Sequence, residues 1–255
     1  VLVSQSAWGQ MRPDNTLGSE ASRGVSEGDV LGAPADSIQG GATRGQLLFH
    51  SFSDLNVEAD NRVFFANPSG ISDIFSRVTG DSVSNIDGVL GVDGPANLYL
   101  LNPNGIFFGP DAELDLNGAF FATTGDRILF SNDLDFSATA PQSVPLVNFS
   151  VPLGVQYGRS PGDISIIDSV FTRPRGTTSA FIGGDVRLDF VDIDSPGSSV
   201  NIGSVADTIV DIDTTRGGSD VIFSFSEELS GRSLKIIDSV IFTGLDNDGN
   251  GGDLS

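Results

Sequence analysis

The sequence predicts an all-β fold, and within that class a right-handed parallel β-helix. Three observations carry this. From Gln46 onward, short apolar runs of strand length alternate with Gly, Pro, Asn and Asp. Several stretches alternate apolar and polar residues with a period of two, and no window shows a helical period. One strand unit also recurs. Ile164-Ser165-Ile166-Ile167-Asp168-Ser169-Val170-Phe171 returns as Leu234-Lys235-Ile236-Ile237-Asp238-Ser239-Val240-Ile241, with Ile-Ile-Asp-Ser-Val in common.

Along the chain, residues 1–9 have the form of a signal-peptide tail. Ala7 and Gly9 put small residues where a signal peptidase reads, leaving Gln10 as the first mature residue. Residues 10–255 are then expected to form one β-helical unit. Residues 10–45 are polar and Gly-rich, with little periodicity. Strands are predicted at Leu47–Phe49, Val63–Ala66, Ile71–Phe75, Leu98–Leu101, Ile106–Phe108, Leu114–Leu116, Ala119–Ala122 and Ile128–Phe130. In Asp185-Val186-Arg187-Leu188-Asp189-Phe190 the even-numbered residues are apolar. The phase then shifts to Val191 and Ile193, which predicts a bulge or a corner. Val210-Asp211-Ile212-Asp213 alternates again. A coil of ~20–25 residues would put the two copies of the repeat about three coils apart. The competing fold is a β-sandwich or jelly roll, in which Asp87-Gly88 and Asp93-Gly94 would be two-residue hairpin turns.

Composition narrows the function. The 255 residues suffice for a substantial core, and 38% are hydrophobic, 18 of them Phe. The balance of 13 basic against 34 acidic residues gives a net charge of −21. Such a surface repels nucleic acid phosphates and anionic lipid, so neither is expected as a partner. Most of the acid is Asp, which favours turns because its short side chain bonds nearby backbone N–H groups. With no Cys there are no disulfides, thiolate metal sites or Cys nucleophiles. With His50 as the single His, a multi-His zinc site or a Ser-His-Asp triad is close to excluded. No apolar run is long enough to span a bilayer.

The most specific stretch runs from Asn97 to Pro110 and centres on Asn102-Pro103-Asn104-Gly105-Ile106. Pro103 fixes φ at the second turn position, Asn102 can cap the turn, and Gly105 can adopt a left-handed conformation. Asn67-Pro68-Ser69-Gly70-Ile71 is a similar turn, expected one or two coils earlier. Around them lie Leu48-Phe49-His50-Ser51-Phe52-Ser53, Ser76-Arg77-Val78-Thr79-Gly80, Ser84-Asn85-Ile86-Asp87-Gly88 and Phe120-Phe121-Ala122-Thr123-Thr124. Further on come Phe181-Ile182-Gly183-Gly184-Asp185-Val186 and Ile202-Gly203-Ser204-Val205-Ala206. Together these motifs resemble the N-terminal secretion domain of filamentous haemagglutinin-type two-partner-secretion exoproteins. They are similar in particular to the cyanobacterial version, the haemagglutination activity domain.

That resemblance implies a right-handed β-helix with an N-terminal cap and small extra-helical β elements. It implies export: recognition by the periplasmic POTRA domains of a partner outer-membrane transporter, then folding outside as a template for the rest of an adhesin. It places the domain at the cell surface or in the medium, as a monomer. The turn residues Asn67, Pro68, Ser69, Gly70, Asn102, Pro103, Asn104, Gly105 and Ile106 are then either contacts for the transporter or corners of the coil. Residues 67–71 depart from the best-known form, which carries leucine after Asn-Pro-Asn.

Two rival functions stay open. Asp189, Asp192 and Asp194 are the candidate cluster for a β-helical polysaccharide-degrading enzyme, although alternating strand geometry turns such acids toward solvent. A free-standing adhesin would bind a host-cell or surface glycan through exposed Phe or Tyr99. No cofactor is expected. Asp246, Asp248 and Asn250 match the start of an EF-hand calcium loop, but its closing Glu would lie past Ser255, so a corner is the expected role. The sequence stops in what reads as the middle of a coil, which implies a longer parent protein.

Overall fold

The computed structural model describes residues 11–147, 149–213, 222–224 and 232–244. Residues 1–9, read above as a signal-peptide tail, and the calcium-loop-like Asp246-Asn247-Asp248-Gly249-Asn250 lie outside these residues.

A cap comes first: β1 (Met11–Pro13), the antiparallel hairpin of β2 (Ser22–Val30) and β3 (Ala33–Gly40), and β4 (Ala42–Arg44). β5 (Leu47–Leu55) opens the stack. Two regular coils follow, β6 (Arg62–Ala66), β7 (Asp73–Val78), β8 (Ser84–Ile86), and then β9 (Val89–Asp93), β10 (Asn97–Leu101), β11 (Ile106–Phe108). The next coil starts with β12 (Glu113–Asp115) and β13 (Phe120–Thr123). It leaves the stack for β14 (Arg127–Leu129), β15 (Asp135–Ser137) and β16 (Gly154–Gln156), and returns at β17 (Ile164–Ile167). Then come β18 (Val170–Thr172), β19 (Ser179–Gly183), β20 (Val186–Asp189), β21 (Asp192–Asp194) and β22 (Val200–Ser204). A second departure carries β23 (Ile209–Asp213) and β24 (Ile222–Ser224), before β25 (Leu234–Ile237) and β26 (Val240–Phe242).

Successive coils pair in parallel, as a right-handed β-helix. The long face runs β5-β7-β10-β13-β19-β22, with β1 and β4 antiparallel to β5 at its start. A second face runs β3-β6-β9-β12, a third β8-β11-β17-β20-β25, and β18-β21-β26 form a fourth. The departures join in an antiparallel sheet, β15-β14-β16-β23-β24, outside the coil. Leu98 lies beside Ile74 and Phe120 beside Leu98, so a coil here takes 24 and then 22 residues. The sandwich alternative fails at its own turns. Asp87-Gly88 joins β8 to β9 and Asp93-Gly94 joins β9 to β10, and both are corners between parallel faces.

The Ile-Ile-Asp-Ser-Val unit encodes one of these corners. Asp168 and Asp238 have φ of 52° and 45°, a left-handed conformation that Asp tolerates. The Ser that follows each turns its hydroxyl back to the carbonyl of Ile167 or Ile237. β17 and β25 are separated by β20 alone, so the copies stand two coils apart and not three, because the second departure consumes the missing length. The phase shift after Asp189 is the same corner, with Phe190 at φ 55°.

Two cores flank the long face. One fills the coil with stacked Ile, Leu, Val and Phe, including Ile74, Leu98, Phe120 and Phe181. The other lies between the long face and the extra-helical sheet. There Phe49, Phe75, Tyr99 and Phe121 form a ladder in register, with centroids 5.2, 4.6 and 5.9 Å apart. Burial on both sides explains why Leu98-Tyr99-Leu100-Leu101 is continuously apolar instead of alternating. It also removes Tyr99 from any role as a sugar-stacking platform, because that ring is buried in the ladder.

Candidate functional site

The Asn102 turn joins β10 to β11. Gly105 N donates to Asn102 O at 3.1 Å, closing it, and Gly105 has φ 125°, as its sequence position requires. Asn102 is fully buried, and its side chain reaches the preceding coil. Nδ2 donates to Ser82 O at 3.0 Å and to Ser84 Oγ at 2.9 Å. Oδ1 accepts from Asn104 N at 3.0 Å and Asn104 Nδ2 at 3.2 Å. All the bonding capacity of the amide is thus used inside the protein. Asn104 Nδ2 also donates to Gly80 O at 2.7 Å.

The following coil closes the other side. Gly162 N donates to Pro103 O at 2.8 Å and Ile106 N to Asp163 O at 3.0 Å. A Cβ on Gly162 would lie 2.3 Å from Asn104 C, so only glycine allows this approach. The turn is a bracket between two coils. Asn104 and part of Pro103 face solvent, while Asn102, Gly105 and Ile106 do not.

The Asn67 turn joins β6 to β7, one coil earlier but at a different corner. Ile71 N donates to Pro68 O at 3.1 Å, and Gly70 has φ 89°. With its amide turned to satisfy both ends, Asn67 donates to Ile71 O at 3.3 Å and accepts from Ala96 N at 3.2 Å. Gly94 leaves the room it needs, since a Cβ there would meet the Asn67 amide group at 2.5 Å. Pro68, Ser69 and Gly70 are exposed. The structure therefore does not stack the two turns into one site.

It does build a polar cluster that sequence reasoning missed. Arg77, buried on β7, donates from Nε to Ser51 Oγ at 2.9 Å and from Nη2 to Thr16 Oγ1 at 2.8 Å. Thr16 and Ser51 in turn donate to Asp14, at 2.6 and 2.7 Å. Arg77 also donates to Ser137 O at 2.9 Å and Gln142 O at 2.8 Å, and sits 4.3 Å over the Phe136 ring. Burial pulls its pKa down to about 10, against the raising influence of Asp14 and Asp135. Burial pushes the Asp14 carboxyl up, but hydrogen bonds from Thr16, Thr79 and Ser51 together hold it below its ordinary value. The available signal is one arginine within the strand-length stretch Ile74–Val78 of a strongly acidic chain.

Arg44 does similar work nearby. It pairs with both oxygens of Glu20 at 2.9 and 2.7 Å and donates to Val144 O and Pro145 O at 2.6 Å each. Arg173 fills the break where β12 ends the second face and β18 begins the fourth. It donates to the carbonyls of Leu114, Leu116 and Gly118 at 3.4, 3.2 and 2.7 Å. His50 is fully buried; its Nδ1 shares a 3.0 Å hydrogen bond with Ser22 Oγ and its Nε2 has no partner. Asp192 and Asp194 are exposed on β21, while Asp189 pairs with Arg187 on β20, around the corner. Among the described residues no group of three His, Cys, Asp or Glu is placed to hold a metal ion.

Comparison with known proteins follows the same lines. The heme/hemopexin-binding protein of Haemophilus influenzae is 38% identical over 81 residues, which cover 32% of this chain and 8% of that protein. The chain thus spans a small part of that relative. The secretion domain of HMW1 from Haemophilus influenzae superposes with a TM-score of 0.58 at 16% identity, over 91% of this chain and 61% of that one. The filamentous hemagglutinin secretion domain gives 0.55 at 19% identity, over 91% of this chain and 76% of that one. Both structures share the fold. Residues 9–255 match the family model described as the TPS secretion domain, so the chain belongs to that family, the secretion domains of two-partner-secretion proteins.

Proposed function

We propose that the chain is read in the periplasm by the POTRA domains of its transporter, and that outside the cell its coils act as the template on which further coils fold. The family match over residues 9–255 carries this reading. The fold supports the second half mechanically. Along the long face each strand pairs with one from the preceding coil, so a formed coil presents a parallel edge to the next. Parallel pairing across more than twenty residues is slow to form, which favours an unfolded chain during transit.

On this reading the chain is not an enzyme and acts as a monomer, and both Asn-Pro turns serve as corners. Asn102 holds the coil; at its turn only Asn104 and Pro103 offer surface to a partner, and at the other turn Pro68, Ser69 and Gly70 do. The split of Asp189 from Asp192 and Asp194 argues against a catalytic cluster, and the burial of Tyr99 against a glycan platform there. The test is binding of the full chain, folded and denatured, to the periplasmic region of the outer-membrane transporter encoded beside it. Saturable binding supports the reading; none in either state overturns it.

A further inference from the structure

The described residues contain two Asn-Gly pairs, Asn104-Gly105 and Asn117-Gly118, both at corners of the coil and both with the Asn exposed. An Asn followed by Gly is open to spontaneous cyclisation, because glycine has no side chain to shield its backbone nitrogen. The fold treats the two pairs in opposite ways.

At the first pair both reacting groups are engaged. Gly105 N donates to Asn102 O at 3.1 Å. Asn104 Nδ2 donates to Gly80 O at 2.7 Å and to Asn102 Oδ1 at 3.2 Å, which ties the amide to the preceding coil. At the second pair, between β12 and β13, neither group is engaged. The Asn117 side chain and Gly118 N make no hydrogen bond with any described residue. The peptides around them are fixed. Buried Arg173 donates to Leu116 O at 3.2 Å and to Gly118 O at 2.7 Å, and Ala119 N donates to Asn97 Oδ1 at 2.8 Å. Gly118 is buried against the preceding coil, where a Cβ would lie 2.5 Å from Ala96 O. Its N–H is thus a donor in a buried residue without a protein acceptor, a state that costs free energy.

We infer that Asn117 is a site of spontaneous covalent modification, in which Gly118 N closes on the side-chain carbonyl and the amide is lost as ammonia. A bond forms between Gly118 N and Asn117 Cγ, and the Cγ–Nδ2 bond breaks. The proton of Gly118 N passes to water or hydroxide, and ammonia leaves with a proton from solvent. One water then opens the cyclic imide. Opening at the side-chain carbonyl gives aspartate and adds a carboxylate near Asp115. Opening at the main-chain carbonyl gives isoaspartate, which lengthens the backbone at a corner where Gly118 must meet both Ala96 and Arg173. Closure removes the unpaired N–H of Gly118, a gain that Gly105, already bonded to Asn102, does not offer.

The test holds the full chain in mildly alkaline buffer, native and in urea, and follows each Asn-Gly peptide by mass spectrometry. An isoaspartate-specific methyltransferase, applied to the separated peptides, is the second readout. In the native chain Asn117 is expected to convert about tenfold or more faster than Asn104, a barrier difference set by the fold. In urea, where both pairs are free, the two rates converge. Asn117→Gln, verified as folded by circular dichroism, loses the native signal and leaves the rate at Asn104 unchanged. Native conversion at equal rates, or faster at Asn104, overturns the inference. So does an Asn117 that stays intact in the native chain while the denatured chain converts.

Discussion

Arg77 and Asp14 are joined through two hydroxyls and make no direct salt bridge. The hydroxyls of Thr16 and Ser51 stand between them, each accepting from the guanidinium and donating to the carboxylate. Four protein segments meet here: the cap, β5, β7 and the extra-helical segment. Replacing Arg77 with Met leaves Asp14 without its cation and the carbonyls of Ser137 and Gln142 without a donor. The expected loss is roughly 2–4 kcal/mol, from the buried carbonyls left without a donor. Equilibrium unfolding in urea measures it; a loss under about 1 kcal/mol would show that the relay is decorative.

His50 gives the protein a pH dependence with a definite sign. Burial lowers its folded pKa to about 3 from an ordinary 6.5. Below pH 6.5 the unfolded chain takes up a proton that the folded chain refuses. Its contribution to stability is therefore whole above pH 6.5 and is lost as pH falls toward 3, by about 1.4 kcal/mol per unit. Between pH 6.5 and 4.5, wild type should lose roughly 2–3 kcal/mol more than His50→Gln. Parallel stability curves for the two proteins would mean that His50 titrates normally.

Asn102 and Asn104 separate fold from contact. Asn102→Ala deletes an amide that satisfies four groups within the protein, and should cost roughly 2–4 kcal/mol. Asn102→Asp should cost more, because a carboxylate then faces the carbonyl of Ser82. Asn104 is exposed, so Asn104→Ala should cost about 1 kcal/mol or less. If Asn102 is a corner residue, secretion across these variants follows their stability. An Asn104→Ala chain that is fully stable yet unsecreted would place the contact at this turn instead.

What was legible in the sequence follows physical range. The apolar runs of β10 and β13 were visible because burial on both sides of the long face makes them continuous. The turn at Asn102 was visible because its residue types are dictated locally by φ and by the backbone groups within four residues. The cap hairpin was not, since β2 and β3 pair at the end of a face and alternate irregularly around a bulge between Val25 and Gly28. The departures were expected only as the small extra-helical β elements that the family resemblance implies; their places were not visible, because a parallel ladder tolerates an insertion at a corner without changing the strands around it. That is why the residue spacing predicts three coils between the copies of the repeat when two separate them. The Arg77 relay depends on partners in four separate segments, which no local pattern reveals.

Phe190 is the residue most at odds with its own position. It has φ 55° and is 58% exposed, at a corner where the coils on either side carry Asp168 and Asp238. Left-handed backbone costs an ordinary L-residue roughly 1–2 kcal/mol, and Asn or Asp less, because their side chains bond locally. An exposed ring recovers little of that through burial. Phe190→Asn should therefore raise stability by about 1 kcal/mol, without adding a third carboxylate beside Asp168 and Asp238. Thermal unfolding reads it as a rise of about 2–4 °C for a chain of this size. A drop instead would mean that the ring is held by packing along the corner strongly enough to outweigh the backbone.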